Sequence, residues 1–236
     1  MATIWIADIK KLKPELDQLS EALPPEDREK VMSFRRMEDR LRCAVGRTMI
    51  RALAAMNGMP RAQLVYSAYG KPAFDSGAPQ FCLSHSGDWV VLSAGDMPIG
   101  VDVEKRDMLD WESMSRFYDE REKEMLRTDI QPLRCFYRIW TVKEAFAKED
   151  GRGLSLFEQE NIRIDYVNKS AAWRGRNLSF RTWETQEYTL SFCSEEAPLQ
   201  PQFITAEEWQ ALRKEGVCPS QSKNDSTMSW EEVRYG

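Results

Sequence analysis

The chain has few of the side chains from which metal and redox sites are usually built. It contains one histidine, His85, and its five cysteines are scattered without any C-x-x-C spacing. This pattern argues against a zinc site and against a disulfide framework, since both need clustered or paired ligands. Scattered cysteines in odd number are typical of reduced thiols, so the sequence predicts a cytoplasmic protein in which any role for an imidazole falls on His85.

Long apolar runs and the common nucleotide-binding fingerprints are also absent. No apolar stretch approaches the roughly 18 residues of a membrane span, and residues 1–8 predict a β-strand rather than a secretory signal. There is no Walker A motif, no dinucleotide-binding glycine fingerprint and no kinase loop. The net charge of −5 argues against a nucleic acid partner. We therefore expect a protein that works with neither a membrane nor a nucleic acid.

The sequence has enough apolar residues for a core and a pattern of elements that occurs twice. It comprises 236 residues, of which 42% are apolar, and this suffices for one large domain or two small ones. Helices followed by strands occur in residues 1–104 and again in 105–236, although the halves share no evident sequence identity. Periodicity predicts helices over 12–22, 26–57, 111–127, 131–149 and 205–215, of which the stretch 26–57 is two helices with a break near residues 34–37. Strands are predicted at 2–7, within 64–104, from 154–156 onward, at 161–166, 177–183 and 187–193, with an edge strand at 227–230. The predicted fold class is α+β.

Residues 98–107 begin as a strand that carries two carboxylates. Three β-branched residues alternate with Gly100, Asp102 and Glu104, so the two carboxylates share one face of the strand. Carboxylates this close repel each other unless a cation neutralises them, and Mg²⁺ is typically held by one or two carboxylates together with substrate phosphates. The stretch predicts a metal site, although an ordinary polar strand face has the same pattern.

The helix predicted over 131–149 carries Glu144 and Lys148 one turn apart, on the flank of its apolar stripe. The simplest interpretation is a surface ion pair worth about 0.2–0.5 kcal/mol. Taken with the strand carboxylates, however, these residues complete a set of three acids and several cations, namely Asp102, Glu104, Glu144, Lys30, Arg42, Lys71, His85 and Lys148. Such a set is typical of a site that binds Mg²⁺ with a polyphosphate. From the residues alone, the predicted function is Mg²⁺-dependent phosphate chemistry.

Four stretches in this order resemble the 4′-phosphopantetheinyl transferase superfamily, in particular its monomeric type that activates surfactin synthetase. They are residues 70–72 (Gly-Lys-Pro), 81–87 (Phe-Cys-Leu-Ser-His-Ser-Gly), 100–104 (Gly-Val-Asp-Val-Glu) and 140–148 (Trp-Thr-Val-Lys-Glu-Ala-Phe-Ala-Lys), with Gly151, Gly153, Leu154 and Ser155 following. Weaker similarity extends to 28–30, 38–46 and 227–232. The resemblance spans nearly the whole chain.

The resemblance implies two similar α/β halves with the active site in the cleft between them. It implies that coenzyme A is the donor, that a serine of an apo acyl or peptidyl carrier protein accepts the 4′-phosphopantetheine arm, and that 3′,5′-adenosine bisphosphate leaves. The carrier would belong to peptide synthetase, polyketide or fatty acid synthesis, with a leaning toward secondary metabolism. A monomer is expected.

By position, the resemblance also assigns roles to individual residues. Asp102, Glu104 and Glu144 match ligands of Mg²⁺, with Mn²⁺ as an alternative ion, and Lys148 matches the lysine that contacts the pyrophosphate. His85 matches a phosphate-contacting histidine, and the positions matching coenzyme A contacts are Lys30, Arg42, Lys71 and Ser84. Glu144, Lys148 and Asp102 form the expected catalytic set, in which Glu144 takes the serine proton directly or through a water. Asp27 departs from the pattern, because some relatives carry a basic residue there toward the 3′-phosphate.

Two other functions use the same residues. A Mg²⁺-dependent phosphohydrolase would place water where the carrier serine attacks, and a non-catalytic protein would bind coenzyme A or a carrier without transferring anything. The intact set of Asp102, Glu104, Glu144 and Lys148 favours an enzyme over a mere binder. Carrier recognition is expected in a basic or apolar groove near residues 111–127, around Phe117.

Overall fold

The computed structural model describes residues 1–108, 118–159, 162–173, 175–215 and 230–235. The first part of the chain forms β1 (Thr3–Asp8), α1 (Ile9–Leu12), α2 (Leu16–Ala22), α3 (Pro25–Met32), α4 (Met37–Met56), β2 (Leu64–Tyr66), β3 (Pro72–Phe74), β4 (Gln80–Ser86), β5 (Trp89–Gly95) and β6 (Ile99–Lys105). The remainder forms α5 (Glu120–Thr128), α6 (Pro132–Asp150), α7 (Ser155–Gln159), β7 (Ile164–Asp165), β8 (Ser170–Trp173), β9 (Arg176–Glu184), β10 (Tyr188–Ser194), β11 (Gln202–Phe203), α8 (Ala206–Glu215) and β12 (Glu231–Glu232).

The strands form two main sheets and a small hairpin. The first sheet has the order β11-β1-β5-β4, and the second has the order β6-β10-β9-β8-β7, with β12 paired to the far end of β9. Strands β2 and β3 pair only with each other. Strand β6 thus joins the second sheet, while β11 from late in the chain completes the first. The mixed α and β architecture is confirmed; the division at residue 104 and the pseudo-twofold relation of the halves stay predictions.

The two sheets pack face to face between two long helices. Ile4 and Ile6 of β1 meet Val101 and Val103 of β6 in the apolar layer between the sheets. Helix α4 covers the outer face of the first sheet through a cluster that includes Met49. Helix α6 covers the second sheet through a separate cluster of apolar side chains. The result is a helix–sheet–sheet–helix arrangement in which β6 lies between the central layer and α6.

The sheets also meet along one edge, where β4 and β6 run side by side in parallel. Among the described residues these strands share no backbone ladder, because side chains of β4 make the connections instead. The backbone N–H groups of Val101, Val103 and Lys105 donate to the side chains of Cys82, Ser84 and Ser86, at 3.4, 3.3 and 3.0 Å. We call these three side-chain connections the seam.

Helix α6 approaches β6 so closely that only glycine fits at one position. A Cβ atom on Gly100 would lie 1.8 Å from the carbonyl oxygen of Ala145 and 2.7 Å from the backbone nitrogen of Glu149. The stripe of apolar residues predicted for this helix is buried as expected, including Phe136, Ile139 and Val142. Backbone therefore packs on backbone, and residues of α6 and β6 that flank this contact are brought within bonding distance.

Most predicted elements are present, and the differences have local causes. The predicted helix over 12–22 is broken, because Lys13 adopts a left-handed conformation and Pro14 follows. The prediction that residues 154–156 begin a strand region is wrong, since α7 begins at Ser155. Of the helix predicted over 111–127, α5 begins at Glu120 after a capping box at Asp119, and residues 109–117, including Phe117, lie outside the described residues.

Two further findings concern the surface and the end of the chain. None of the described helices has the length and apolarity required to cross a membrane. Strand β12 pairs with Trp183 and Glu184 of β9, and Trp230 stacks on Phe203. An edge strand was predicted at 227–230, of which residues 227–229 lie outside the described residues.

Replacing Gly100 by alanine is expected to destabilise the fold severely. Overpacking costs about 1–3 kcal/mol when side chains can move aside, and here the obstacle is helix backbone, so we expect a loss of at least about 3 kcal/mol in urea unfolding. Gly46→Ala is the matched control, because its Cβ would meet only the flexible tip of Leu83. That variant should stay within about 1 kcal/mol of the parent, since alanine also favours the helix. Equal losses in both variants would contradict the backbone contact.

Candidate functional site

Three side chains from three elements meet where α6 crosses β6 beside the seam. Lys148 of α6 places its Nζ 2.6 Å from Oδ1 of Asp102 on β6 and 2.9 Å from Oγ of Ser84 on β4. The hydroxyl of Ser84 donates to the same Oδ1 at 2.9 Å. The structure therefore brings together one predicted residue from each of three of the four motifs.

Asp102 is almost fully buried, with 2% of its surface exposed, and only part of its carboxylate is satisfied. Its Oδ2 is buried without a hydrogen-bond partner among the described residues. The Lys148 side chain keeps 31% of its surface exposed. Its dehydration would lower the pKa of Lys148, but the Asp102 carboxylate outweighs this effect and raises the pKa, so the ammonium stays charged. The pair leaves one carboxylate oxygen available for a further cation.

Glu104 and Glu144 add two more carboxylates to this region. Burial, together with the negative charge of Asp102, raises the pKa of Glu104 to about 7, while a hydrogen bond from Ser86 to Oε2 at 2.7 Å opposes the rise. Burial and Asp102 also raise the pKa of Glu144, against the effect of Lys148. Lys148 thus lies near three partly dehydrated carboxylates. Its single positive charge is too little to neutralise all three when they are ionised.

These carboxylates fit the donor chemistry of Mg²⁺ without forming a finished cage. Within the described ranges, no three His, Cys, Asp or Glu side chains form a group that could hold a metal ion by themselves. Mg²⁺ does not require one, since it is usually held by one or two carboxylates with water and substrate phosphates as the other ligands. A bound divalent cation would offset two features of these carboxylates: the unpartnered Oδ2 of Asp102 and the raised pKa of Glu104. Asp102, Glu104 and Glu144 therefore fit a magnesium site that substrate completes.

His85 and Arg42 lie on the other side of β4, toward α4. One Arg42 nitrogen donates to the carbonyl of Gly87 at 2.9 Å, and another pairs with Asp39 at 2.6 Å. Dehydration lowers the pKa of His85, and the charges of Arg42 and Lys148 act in the same direction. His85 is exposed at the surface, within range of both charges. His85 and Arg42 therefore lie at the end of β4, with His85 on the strand face opposite to Ser84 and Ser86.

Lys30 and Lys71 make their contacts elsewhere than with the three carboxylates Asp102, Glu104 and Glu144. The ammonium of Lys30 lies 5.5 Å from the centre of the Phe34 ring and borders a surface pocket of about 730 Å³ between α3 and β2. Lys71 donates to the carbonyls of Ile99 at 3.2 Å and of Glu149 at 2.6 Å. It thereby ties the start of β6 to the end of α6, and its role toward a ligand stays a prediction.

Asp27 borders the same pocket as Lys30, but its carboxylate is already engaged by two arginines. Only 2% of it is exposed, and it pairs with Arg47 at 3.1 Å and with Arg51 at 2.6 Å. The carboxylate thus anchors α3 on α4, which accounts for an acidic residue at this position.

Sequence analysis missed Ser86, although a signal for it was present. Ser84 and Ser86 alternate on β4 as Asp102 and Glu104 alternate on β6, so a period of two could have paired them. What the sequence did not provide was the parallel alignment of the two strands, which depends on the whole fold.

Comparison with known proteins identifies related families and enzymes. The profile of the 4′-phosphopantetheinyl transferase superfamily matches residues 98–218, and the profile described as the N-terminal part of 4′-phosphopantetheinyl transferase matches residues 10–97. The 4′-phosphopantetheinyl transferase ffp of Bacillus subtilis is 34% identical over 209 residues, which cover 84% of this chain and 93% of the relative. Sfp of Bacillus subtilis is 33% identical over 60% of this chain and 66% of its own length. AcpT of Salmonella typhimurium is 40% identical over 62% of this chain and 74% of its own length.

Removing the charge of Glu104 is expected to stabilise the metal-free protein at high pH. A pKa raised from 4.5 to about 7 favours the folded state below pH 4.5, and this advantage is lost as the pH rises through 7. In EDTA, the free energy of unfolding of Glu104→Gln should therefore be higher than that of the parent by roughly 2 kcal/mol at pH 8.5. The difference should vanish near pH 4.5. Urea unfolding at both pH values measures it. Glu187→Gln, at an exposed carboxylate, is the control; a parallel response in both variants would refute the burial effect.

Proposed function

Because the chain belongs to the 4′-phosphopantetheinyl transferase superfamily, we propose that it moves the 4′-phosphopantetheine arm of coenzyme A onto a serine of an apo carrier protein. The reaction depends on Mg²⁺ and releases 3′,5′-adenosine bisphosphate. The observation that carries the proposal is the contact of Lys148, Asp102 and Ser84 beside two further carboxylates. A non-catalytic binder has no need of this buried charged group. The hydrolase alternative has no observation in its favour.

Asp102, Glu104 and Glu144 are the residues that would hold the metal. When bound there, Mg²⁺ supplies positive charge that offsets the diphosphate and its departing half, and Mn²⁺ is an alternative ion. Asp102 is already oriented by Lys148 and Ser84, so its free Oδ2 is the fixed donor. Glu104 is oriented from β4 by Ser86.

Lys148 neutralises charge on the pyrophosphate of coenzyme A. Two of its three ammonium protons go to Asp102 and Ser84, so the third can be donated to a phosphate oxygen without breaking the pair. Phosphoryl transfer depends mainly on such positioning and on electrostatic stabilisation. A lysine fixed in advance contributes without reorganising at the moment of reaction.

Glu144 is the proposed general base. The carrier serine oxygen attacks the β-phosphorus, its proton passes to Glu144, and the bond from that phosphorus to the oxygen bridging the two phosphates breaks. A base is most effective when its pKa approaches the working pH, and burial raises the pKa of Glu144 in that direction.

The remaining coenzyme A contacts are proposed at the end of β4 and farther out beside α3. His85 and Arg42 sit at the end of β4, where they would meet phosphate, and Ser84 adds a hydroxyl. Lys30 lies farther out, beside the pocket near α3. Lys71 already donates to the backbone carbonyls of Ile99 and Glu149, which leaves one ammonium proton for the ligand.

We place the protein in the cytoplasm as a monomer. The carriers it serves are those of peptide synthetase, polyketide or fatty acid synthesis. The carrier surface is proposed near α5 and the segment before it.

The reaction is tested by the intact mass of an apo carrier protein after incubation with this protein, coenzyme A and Mg²⁺. We expect a gain of ~340 Da, the mass of one phosphopantetheine arm attached through a phosphodiester. The gain should disappear in EDTA. Binding of coenzyme A without any gain across peptidyl and acyl carriers would support a binding protein instead.

The division of roles predicts different losses in two variants. Glu144→Gln should lower the transfer rate by at least about 100-fold, since it removes both a metal ligand and the base, while coenzyme A binding changes little. His85→Ala should instead weaken coenzyme A binding in calorimetry. Glu21→Gln on the exposed face of α2 is the control and should leave both quantities unchanged. Near-normal transfer by Glu144→Gln would remove that residue from both roles.

A further inference from the structure

Ser86 and Glu104 repeat, two residues further along the strands, the contact of Ser84 with Asp102. Each serine hydroxyl donates to a carboxylate of β6 and accepts the backbone N–H of the next residue, Val103 or Lys105. For Ser86, the hydroxyl donates to Oε2 of Glu104 at 2.7 Å and accepts from Lys105 at 3.0 Å. The second pair thus has the same geometry as the first, but without a lysine in contact.

From this geometry we infer that Ser86 is a positioning residue, whose hydroxyl fixes the Glu104 carboxylate for a divalent cation. The inference rests on the proposed function, in which Glu104 is one of the metal ligands. No role for Ser86 follows from the charges of the site, since it carries none. Its role follows from where its proton points.

The direction of that proton is determined by the backbone. A hydroxyl has one proton and two acceptor lone pairs, and the N–H of Lys105 occupies a lone pair of Ser86. The proton is then directed to Glu104, whose carboxylate receives no other hydrogen bond and no ion pair from the described part of the chain. One carboxylate oxygen is thereby tied to β4, and the other remains available for a cation.

The serine itself is held in a rigid place. Gly87, the next residue, has a φ of +54°, and a Cβ there would lie 2.7 Å from the hydroxyl oxygen of Tyr188 and 2.8 Å from Cδ of Lys105. Arg42 binds the carbonyl of Gly87 at 2.9 Å. This anchored turn fixes the end of β4, so the Ser86 hydroxyl is in position before any ligand binds. A ligand held in advance in this way binds metal more tightly than a free one.

Ser93 shows that a buried serine of this sheet does not need such a contact. It lies on β5, is fully buried, and its hydroxyl has no partner among the described residues. The contact of Ser86 is therefore specific to the strand that faces Glu104, and Ser93→Ala provides a control for loss of a strand hydroxyl.

The test compares Ser86→Thr with Ser86→Val, which have nearly the same shape and differ in the hydroxyl. Mg²⁺ is titrated by calorimetry into the full chain with saturating coenzyme A and no carrier, so that no turnover occurs. We expect the valine variant to bind Mg²⁺ roughly 10- to 100-fold more weakly, the range for loss of a hydrogen bond to a metal ligand. The threonine variant and Ser93→Ala should stay within about threefold of the parent. Coenzyme A affinity without metal should agree among all variants, and the valine variant should remain folded in EDTA with a lower melting temperature, because the N–H of Lys105 loses its acceptor.

The outcomes separate this inference from the proposed function. Equal Mg²⁺ affinity in the valine and threonine variants, with the parent binding metal and modifying a carrier, would overturn the role of Ser86 and leave the function intact. No Mg²⁺ binding by the parent would overturn both the metal site and the role of Ser86. If the valine variant does not fold in EDTA, Ser86→Ala replaces it, and parent-like Mg²⁺ affinity in that variant would likewise overturn the inference.

Discussion

The direct contact of helix α6 with strand β6 determines where the residues of the proposed site lie. Gly100 lets the two backbones touch near Ala145. Asp102 follows Gly100 by two positions and shares its strand face, while Lys148 follows Ala145 by almost one helical turn. The ion pair between Asp102 and Lys148 is therefore a consequence of close packing. A side chain in place of Gly100 would separate the pair as it separates the backbones.

The same packing leaves an electrostatic imbalance that folding alone does not explain. Three carboxylates lie near one lysine, burial raises the pKa of Glu104 and Glu144, and one oxygen of Asp102 has no partner in the described part of the chain. Burying charge with incomplete compensation costs stability, so such groups tend to mark sites where a ligand supplies what the protein lacks. Here the missing charge is positive and lies next to a lysine suited to phosphate. Both observations favour a cation bound together with a phosphorylated substrate.

The parts of this site that follow local periodicity could be predicted from sequence, and the parts that depend on long-range packing could not. Alternation along β6 put Asp102 and Glu104 on one face, and helical spacing put Glu144 and Lys148 on one flank of α6. Nothing local indicated that β4 would run parallel to β6, so Ser86 was missed. The inward turn of Asp27 was also hidden, because its partners Arg47 and Arg51 lie on another helix. Lys71 was assigned by resemblance, whereas its contacts with two distant carbonyls depend on how α6 ends.

The seam explains why a site of this kind suits the junction of two sheets. In an ordinary ladder, a backbone carbonyl of β4 would accept each N–H of β6, and a carbonyl has no proton to donate. Asp102 and Glu104 would then receive nothing from the neighbouring strand. A serine hydroxyl performs both tasks, since it accepts the N–H and donates to the carboxylate beside it. Cys82 continues the seam beside Gly100, where β6 has no carboxylate to orient. The hydroxyls therefore lie at the two positions of the seam where β6 carries a carboxylate. The same two serine side chains join the sheets and orient the proposed metal ligands.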